Sequence, residues 1–295
     1  MIARIAALLA LVAAVSAQSI PATASPEALA LVDAQYDNSD LDESGAAGYG
    51  IELESQAILS VVYPSFGVVQ NGNAYSVDQV SDAPDVYVTP SENTAAWFNS
   101  SSRYTLMLSD ASSLGDPDSR GNYRHFLANS LTGEAASGSN LTFQPVDGTV
   151  ITSYAAPGPI EGTGPHRYSW LLFAQPEDFS APSNLSSPGV SPSPWYTSEY
   201  VAETGIQLIA ASFFTVQNGE PTGSVASTEA VNTATLSVTS AASQSSGASS
   251  QSQSQSASSS APAASASGNP DNGAGKTVAS LAAGAVGLVA AAALF

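Results

Sequence analysis

The chain has 295 residues and no cysteine, which excludes disulfide staples, zinc–thiolate sites, thiol redox chemistry and cysteine nucleophiles. Its 25 acidic residues against six Lys and Arg leave a net charge of −19, a field that repels nucleic acid and anionic membranes and suits a soluble surface outside the cell. At the N-terminus, Arg4 precedes an apolar run from Ile5 to Val15 that ends in the small residues Ser16 and Ala17. That run is too short to span a bilayer, so residues 1–17 read as a secretory signal peptide. An acidic stretch follows to residue 54, with no basic residue between Arg4 and Arg103.

Residues 18–222 hold nearly all the aromatics and read as one domain with a sizeable core. Apolar and alternating runs predict strands over residues 56–63, 103–109, 123–130, 167–175 and 207–216. Turn clusters separate them, among them Gly115-Asp-Pro-Asp-Ser-Arg-Gly121 and Ala156-Pro-Gly-Pro159. Residues 197–204 predict a short helix closed by Gly205. The fold class expected is mainly β, an antiparallel sandwich with a short C-terminal helix. Sequons at Asn99, Asn140 and Asn184 mark N-glycosylation on surface loops.

Residues 223–272 are rich in Ser and Ala, have no aromatic residue and read as an extended, O-glycosylated stalk. From Val278 to Phe295 the chain is apolar apart from Ser280, and no Lys or Arg follows. A transmembrane anchor would lack its cytoplasmic positive flank. Small residues ahead of a polar spacer and an apolar tail predict a glycosylphosphatidylinositol (GPI) signal over 273–295, with attachment at Asn272. The only membrane association expected is through that anchor.

The chemistry centres on two histidines, His125 and His166, each beside an arginine in a predicted strand. Alternation puts His125 on the face of Tyr123 and Leu127, puts His166 on that of Tyr168, and turns Arg124 and Arg167 the other way. Gly158-Pro-Ile-Glu-Gly-Thr-Gly-Pro-His166 lets the backbone approach a ligand closely, and Asp110 ends a strand within reach of the same mouth. Two imidazoles, a carboxylate and loop N–H groups suit a phosphate or carboxylate. The same residues also fit structural roles: core histidines, arginines paired with Asp or Glu, and Asp110 bonding its own loop amides. No short-range spacing supports a metal site, and no Gly-x-Ser-x-Gly elbow supports a hydrolase.

Two blocks resemble the phosphatidylethanolamine-binding protein family. One is Tyr104-Thr-Leu-Met-Leu-Ser-Asp110 with Asn122-Tyr-Arg-His-Phe-Leu-Ala-Asn129; the other is Gly158 to Trp170, similar to the family's Gly-Pro-Pro-x-Gly-Thr-Gly-x-His-Arg-Tyr pattern. The resemblance implies a β-domain with an anion pocket formed by Asp110, Tyr123, His125, Gly158, Pro159, His166 and Tyr168. It departs at Ile160, where the family has proline, at Tyr123, where it has tryptophan, and at Asp110-Ala-Ser-Ser-Leu114, where it has Asp-Pro-Asp-x-Pro. The function expected is non-enzymatic and cofactor-free binding of a small anion or phospholipid headgroup, with both histidines donating to the anion. Inhibition of a serine carboxypeptidase or other protease is the alternative the resemblance also implies. A structural cell-wall glycoprotein is a third reading.

Overall fold

The computed structural model describes residues 23–236 apart from 45–47, 95–96, 100, 117–120, 136–140, 144–147, 229 and 234–235. The chain divides into two units, 1–242 and 243–295, and every described residue lies in the first. The expected signal peptide, Asn140, Asn272, the apolar tail and the expected stalk beyond residue 236 lie outside the described residues.

Five long strands form where apolar side chains are densest: β1 (Ala57–Tyr63), β5 (Tyr104–Ser113), β6 (Tyr123–Leu131), β10 (His166–Ala174) and β11 (Gln207–Val216). β5 runs past its expected end at Ser109 and carries Asp110 within the strand. The shorter strands are β2 (Gly67–Val68), β3 (Ala74–Tyr75), β4 (Asp85–Pro90), β7 (Glu134–Ala135), β8 (Leu141–Phe143) and β9 (Thr149–Thr152). They form two sheets, ordered β2-β1-β4-β8-β7 and β3-β11-β10-β5-β6-β9. Every pairing is antiparallel except that of β3 with β11.

One core lies between the sheets, where Leu59, Val61 and Val88 of the first meet Leu106, Phe126, Trp170 and Phe214 of the second. A second core covers the outer face of the six-stranded sheet and includes Met107, Leu127, Leu171 and Phe213. This sheet is therefore buried on both sides, which is why β5 is buried at every position, its polar Thr105, Ser109 and Asp110 included.

The cover is helical in part. α2 (Thr197–Thr204) occupies the predicted residues, and Gly205 caps it at φ +67°, a conformation costly to side chains with a Cβ. α1 (Pro26–Asn38) lies in the acidic stretch, where the sequence reading placed no element. Ser25 caps it by accepting from the Ala28 N–H at 3.2 Å, Pro26 opens it, and Glu27 favours its N-terminus. Val32 and Tyr36 anchor it in the second core. Two apolar anchors among acids are too sparse a signal to read as an amphipathic helix. No helix among the described residues is long and apolar enough to cross a membrane.

Candidate functional site

Two β-bulges at one end of the six-stranded sheet create the site. Along β6, Phe126 pairs with Leu108 and Arg124 with Ser109, so His125 is the extra residue. Along β5, Ala111 and Ser112 are spanned between the pairings of Asp110 with Tyr168 and Ser113 with His166. Bulges of this kind re-aim side chains and recur beside functional sites. The first one corrects the alternation expected for His125. Its ring lies 4.9 Å from that of Tyr123, as expected, but Leu127 packs in the outer core, because the extra residue shifts the strand's phase by one.

A cavity of about 460 Å³ opens at this end, lined by Asp110, Tyr123, His125, Gly158, Pro159 and His166 together with Ser112, Asn122, Ala155, Ala156, Ile160 and Ser193. Six of the seven pocket residues read from the sequence thus meet in one cavity. Tyr168 is fully buried, its ring 5.2 Å from His125 and 6.4 Å from His166. Its hydroxyl lies near Asp110 and the Gly158 main chain without completing a hydrogen bond. Burial, then the Asp110 charge, holds that phenol well above its ordinary pKa, so it remains a proton donor.

His166 is held at both nitrogens. Asp110 Oδ2 accepts from Nδ1 at 2.9 Å, and Nε2 lies 2.8 Å from the Thr163 hydroxyl, which donates to the Ile160 carbonyl at 2.7 Å. This differs from the expectation that His166 donates to a ligand: an anion reaching Nε2 has to displace Thr163. Asp110 also bonds its own loop, accepting from the Ser112 N–H at 2.6 Å and fixing the bulge. His125 donates from Nδ1 to the Ala155 carbonyl at 2.9 Å, which leaves Nε2 as the nitrogen available to a ligand. Burial, partly offset by that carbonyl, lowers the His125 pKa.

Both arginines turn away from the cavity, and neither pairs with a carboxylate in the way the sequence suggested. Arg167 donates to the carbonyls of Ser39, Asp40, Ala111 and Ser112, clamping the bulge behind Asp110. Arg124 donates to Thr152 and to the carbonyls of Val190 and Ser191, and its guanidinium lies 4.6 Å from the Trp195 ring centroid. Four main-chain carbonyls hold Arg167, two carbonyls, a hydroxyl and a ring face hold Arg124, and no sequence spacing announces these partners.

The far wall is carried by the loop before α2. The Asn122 N–H donates to the Trp195 carbonyl at 2.7 Å, and Thr197 donates to Asn122 Oδ1. A Cβ on Gly121 would lie 2.4 Å from the Trp195 carbonyl oxygen, so only glycine permits this approach. The loop 158–165 is held from the side by the segment leaving β11. Gly162 N–H donates to the Asn218 carbonyl at 3.0 Å, Thr222 N–H to the Gly162 carbonyl at 2.9 Å, and Asn218 Nδ2 to the Pro159 carbonyl at 3.1 Å. Ser193 and the Asn218–Thr222 segment carry no sequence signal, since only the tertiary fold brings them here. The sequon residues Asn99 and Asn184 are both exposed, Asn99 in a turn and Asn184 in a single 3-10 turn (Ser183–Leu185). No group of three or more His, Asp or Glu among the described residues is arranged to hold a metal.

Residues 67–214 match the family model for phosphatidylethanolamine-binding protein. Among curated relatives, an uncharacterized protein of Saccharomyces cerevisiae is 25% identical over 170 residues, covering 54% of this chain and 81% of its own length. The carboxypeptidase Y inhibitor of Saccharomyces cerevisiae is 23% identical over 185 residues, covering 55% and 84%. The solved structure of carboxypeptidase Y inhibitor complexed with its cognate proteinase superposes with a TM-score of 0.52 at 21% identity, covering 64% of this chain and 95% of that one. On these grounds the chain belongs to the phosphatidylethanolamine-binding protein family.

Proposed function

We propose that this protein is a non-enzymatic module that binds a small anionic group, a phosphate or a phospholipid headgroup, displayed outside the cell. The observation that carries the reading is the Tyr168 hydroxyl, buried beneath the cavity with no partner. A buried donor left unmade costs about 1–3 kcal/mol, and an oxyanion entering the cavity would relieve that cost. His125 Nε2 is the second donor once protonated, so the anion brings a proton with it. Asp110 holds His166 in one orientation and would accept from an ammonium group on the ligand.

The pattern of the two chain ends supports a secreted, GPI-anchored location, and the exposed Asn99 and Asn184 support N-glycosylation. The test is calorimetric titration of the purified protein with inorganic phosphate and with phosphoethanolamine at pH 5 and pH 7.5. Saturable binding that is tighter at pH 5 is the expected result; no heat at millimolar ligand sinks the reading.

A second reading, protease inhibition, is favoured by the relationship to the carboxypeptidase Y inhibitor of Saccharomyces cerevisiae. Inhibition of a serine carboxypeptidase that persists in the His125→Ala/His166→Ala protein would assign the function to the surface loops and α1 instead of the cavity.

A further inference from the structure

A second cavity, of about 290 Å³, opens between the two sheets, lined by Val86 of β4 on one side and by Leu106, Phe126 and Trp170 of β5, β6 and β10 on the other. These four are at most 4% exposed and belong to the core between the sheets. Protein interiors leave few voids larger than a water molecule, so a cleft that reaches such residues can bury a ligand. Its aromatic walls are fixed. Trp170 Nε1 donates to the Tyr63 hydroxyl at 3.3 Å, and the Tyr154 hydroxyl donates to the Val80 carbonyl at 2.6 Å. The Tyr154 and Trp170 rings are parallel to within 7° with centroids 6.1 Å apart, and Phe126 lies 5.4 Å from Trp170. With the polar tips of Tyr154 and Trp170 committed, the three rings offer an occupant apolar and π surface.

The mouth is acidic. Ala83, Pro84, Asp85 and Ser153 belong to a lining that has a carboxylate and no basic residue. Asp85 and the neighbouring Asp82 are exposed, and neither has a hydrogen bond or ion pair with a described residue. Asp82 stands close enough for its charge to add to burial and the Tyr63 hydroxyl in raising the Tyr154 pKa. Free carboxylates at a mouth attract a cation, and the net charge of −19 pulls the same way at long range. The ring quadrupoles favour that charge too. The polar cavity, with its two imidazoles, has the opposite preference and shares no lining residue with this cleft.

We infer that the cleft is a second binding site, for a small hydrophobic cation: an ammonium group carried on one aromatic ring or a short branched chain. The apolar body packs against Phe126, Tyr154 and Trp170. The ammonium stays at the mouth beside Asp85 and Asp82, where water still reaches it and no charge is buried unpaired. The site does not depend on the anion-binding reading.

The test is calorimetric titration of the purified protein at pH 7.5 with 2-phenylethylammonium, beside the neutral 2-phenylethanol. The ammonium should bind about tenfold more tightly than the alcohol, and its affinity should weaken as salt rises from roughly 10 mM toward 150 mM. Asp82→Asn/Asp85→Asn should bring the ammonium down to the level of the alcohol. Ala83→Trp, at an exposed position on the mouth, should weaken both compounds. All three positions are exposed, so both variants should unfold at the urea concentration of the unaltered protein. Equal affinity for the ammonium and the alcohol overturns the proposal. Ammonium binding undiminished in either variant also overturns it, because the cation then sits elsewhere on the acidic surface. No saturable binding of the ammonium at millimolar concentration overturns it as well.

Discussion

His125 shows at the residue scale how burial sets a pH response. Its folded pKa is lowered by desolvation from an ordinary value near 6.5, so the unfolded chain takes up the proton first as pH falls. The stability this contributes is complete above about pH 6.5 and is lost on acidification toward the folded pKa. Protein NMR should place the His125 titration below that of a free imidazole and move it upward when phosphate binds. His125→Ala should abolish the tightening of phosphate binding between pH 7.5 and pH 5; a pH dependence that persists would remove His125 from the mechanism. Arg167 acts from behind the site. It is 5% exposed and donates to four carbonyls, so Arg167→Ala leaves several buried acceptors unmade and should cost about 3 kcal/mol or more. Arg167→Lys should recover little, because an ammonium cannot reproduce the planar fork. Urea denaturation of the two variants measures both effects.

The decisive elements are the two bulges and the segment leaving β11. Regular strands would put successive side chains on opposite faces; the bulges at His125 and at Ala111–Ser112 break that rule at the same sheet end. Ser112 adopts φ +59° there, a left-handed conformation retained because the Asp110 carboxylate accepts its N–H and Arg167 grips its carbonyl. The Asn218–Thr222 segment then closes the loop that carries Pro159 and Thr163. Ending the chain at Gln217 removes those hydrogen bonds. Amide hydrogen exchange at Gly162 and Thr163 should accelerate, and phosphate affinity should fall several-fold. Unchanged exchange there would mean that the loop holds itself.

For the whole molecule, a net charge of −19 acts against the approach of any anion, so an anion pocket here works by local hydrogen bonds against the protein's own field. Phosphate affinity should therefore strengthen as salt rises from roughly 10 mM toward 150 mM and the repulsion is screened; weakening over that range would point to a cationic site elsewhere. The primary sequence by itself determined the strong framework. Apolar and alternating runs located β1, β5, β6, β10 and β11, with β5 extending four residues past its expected end, because strands packed against a core need apolar side chains on the face that meets it. Gly205 ended α2 where a left-handed residue was needed. Six pocket residues were also legible, since His, Asp and a Gly-Pro loop stand out in a chain with two histidines. Tertiary structure alone decided the rest. The partners of Arg124 and Arg167, the Thr163 clamp on His166 and the packing of α1 all depend on backbone groups and faces far apart in the chain. Hydrogen bonds to carbonyls and gaps between sheets have no residue-type signature, so they exist only once the sheets have packed.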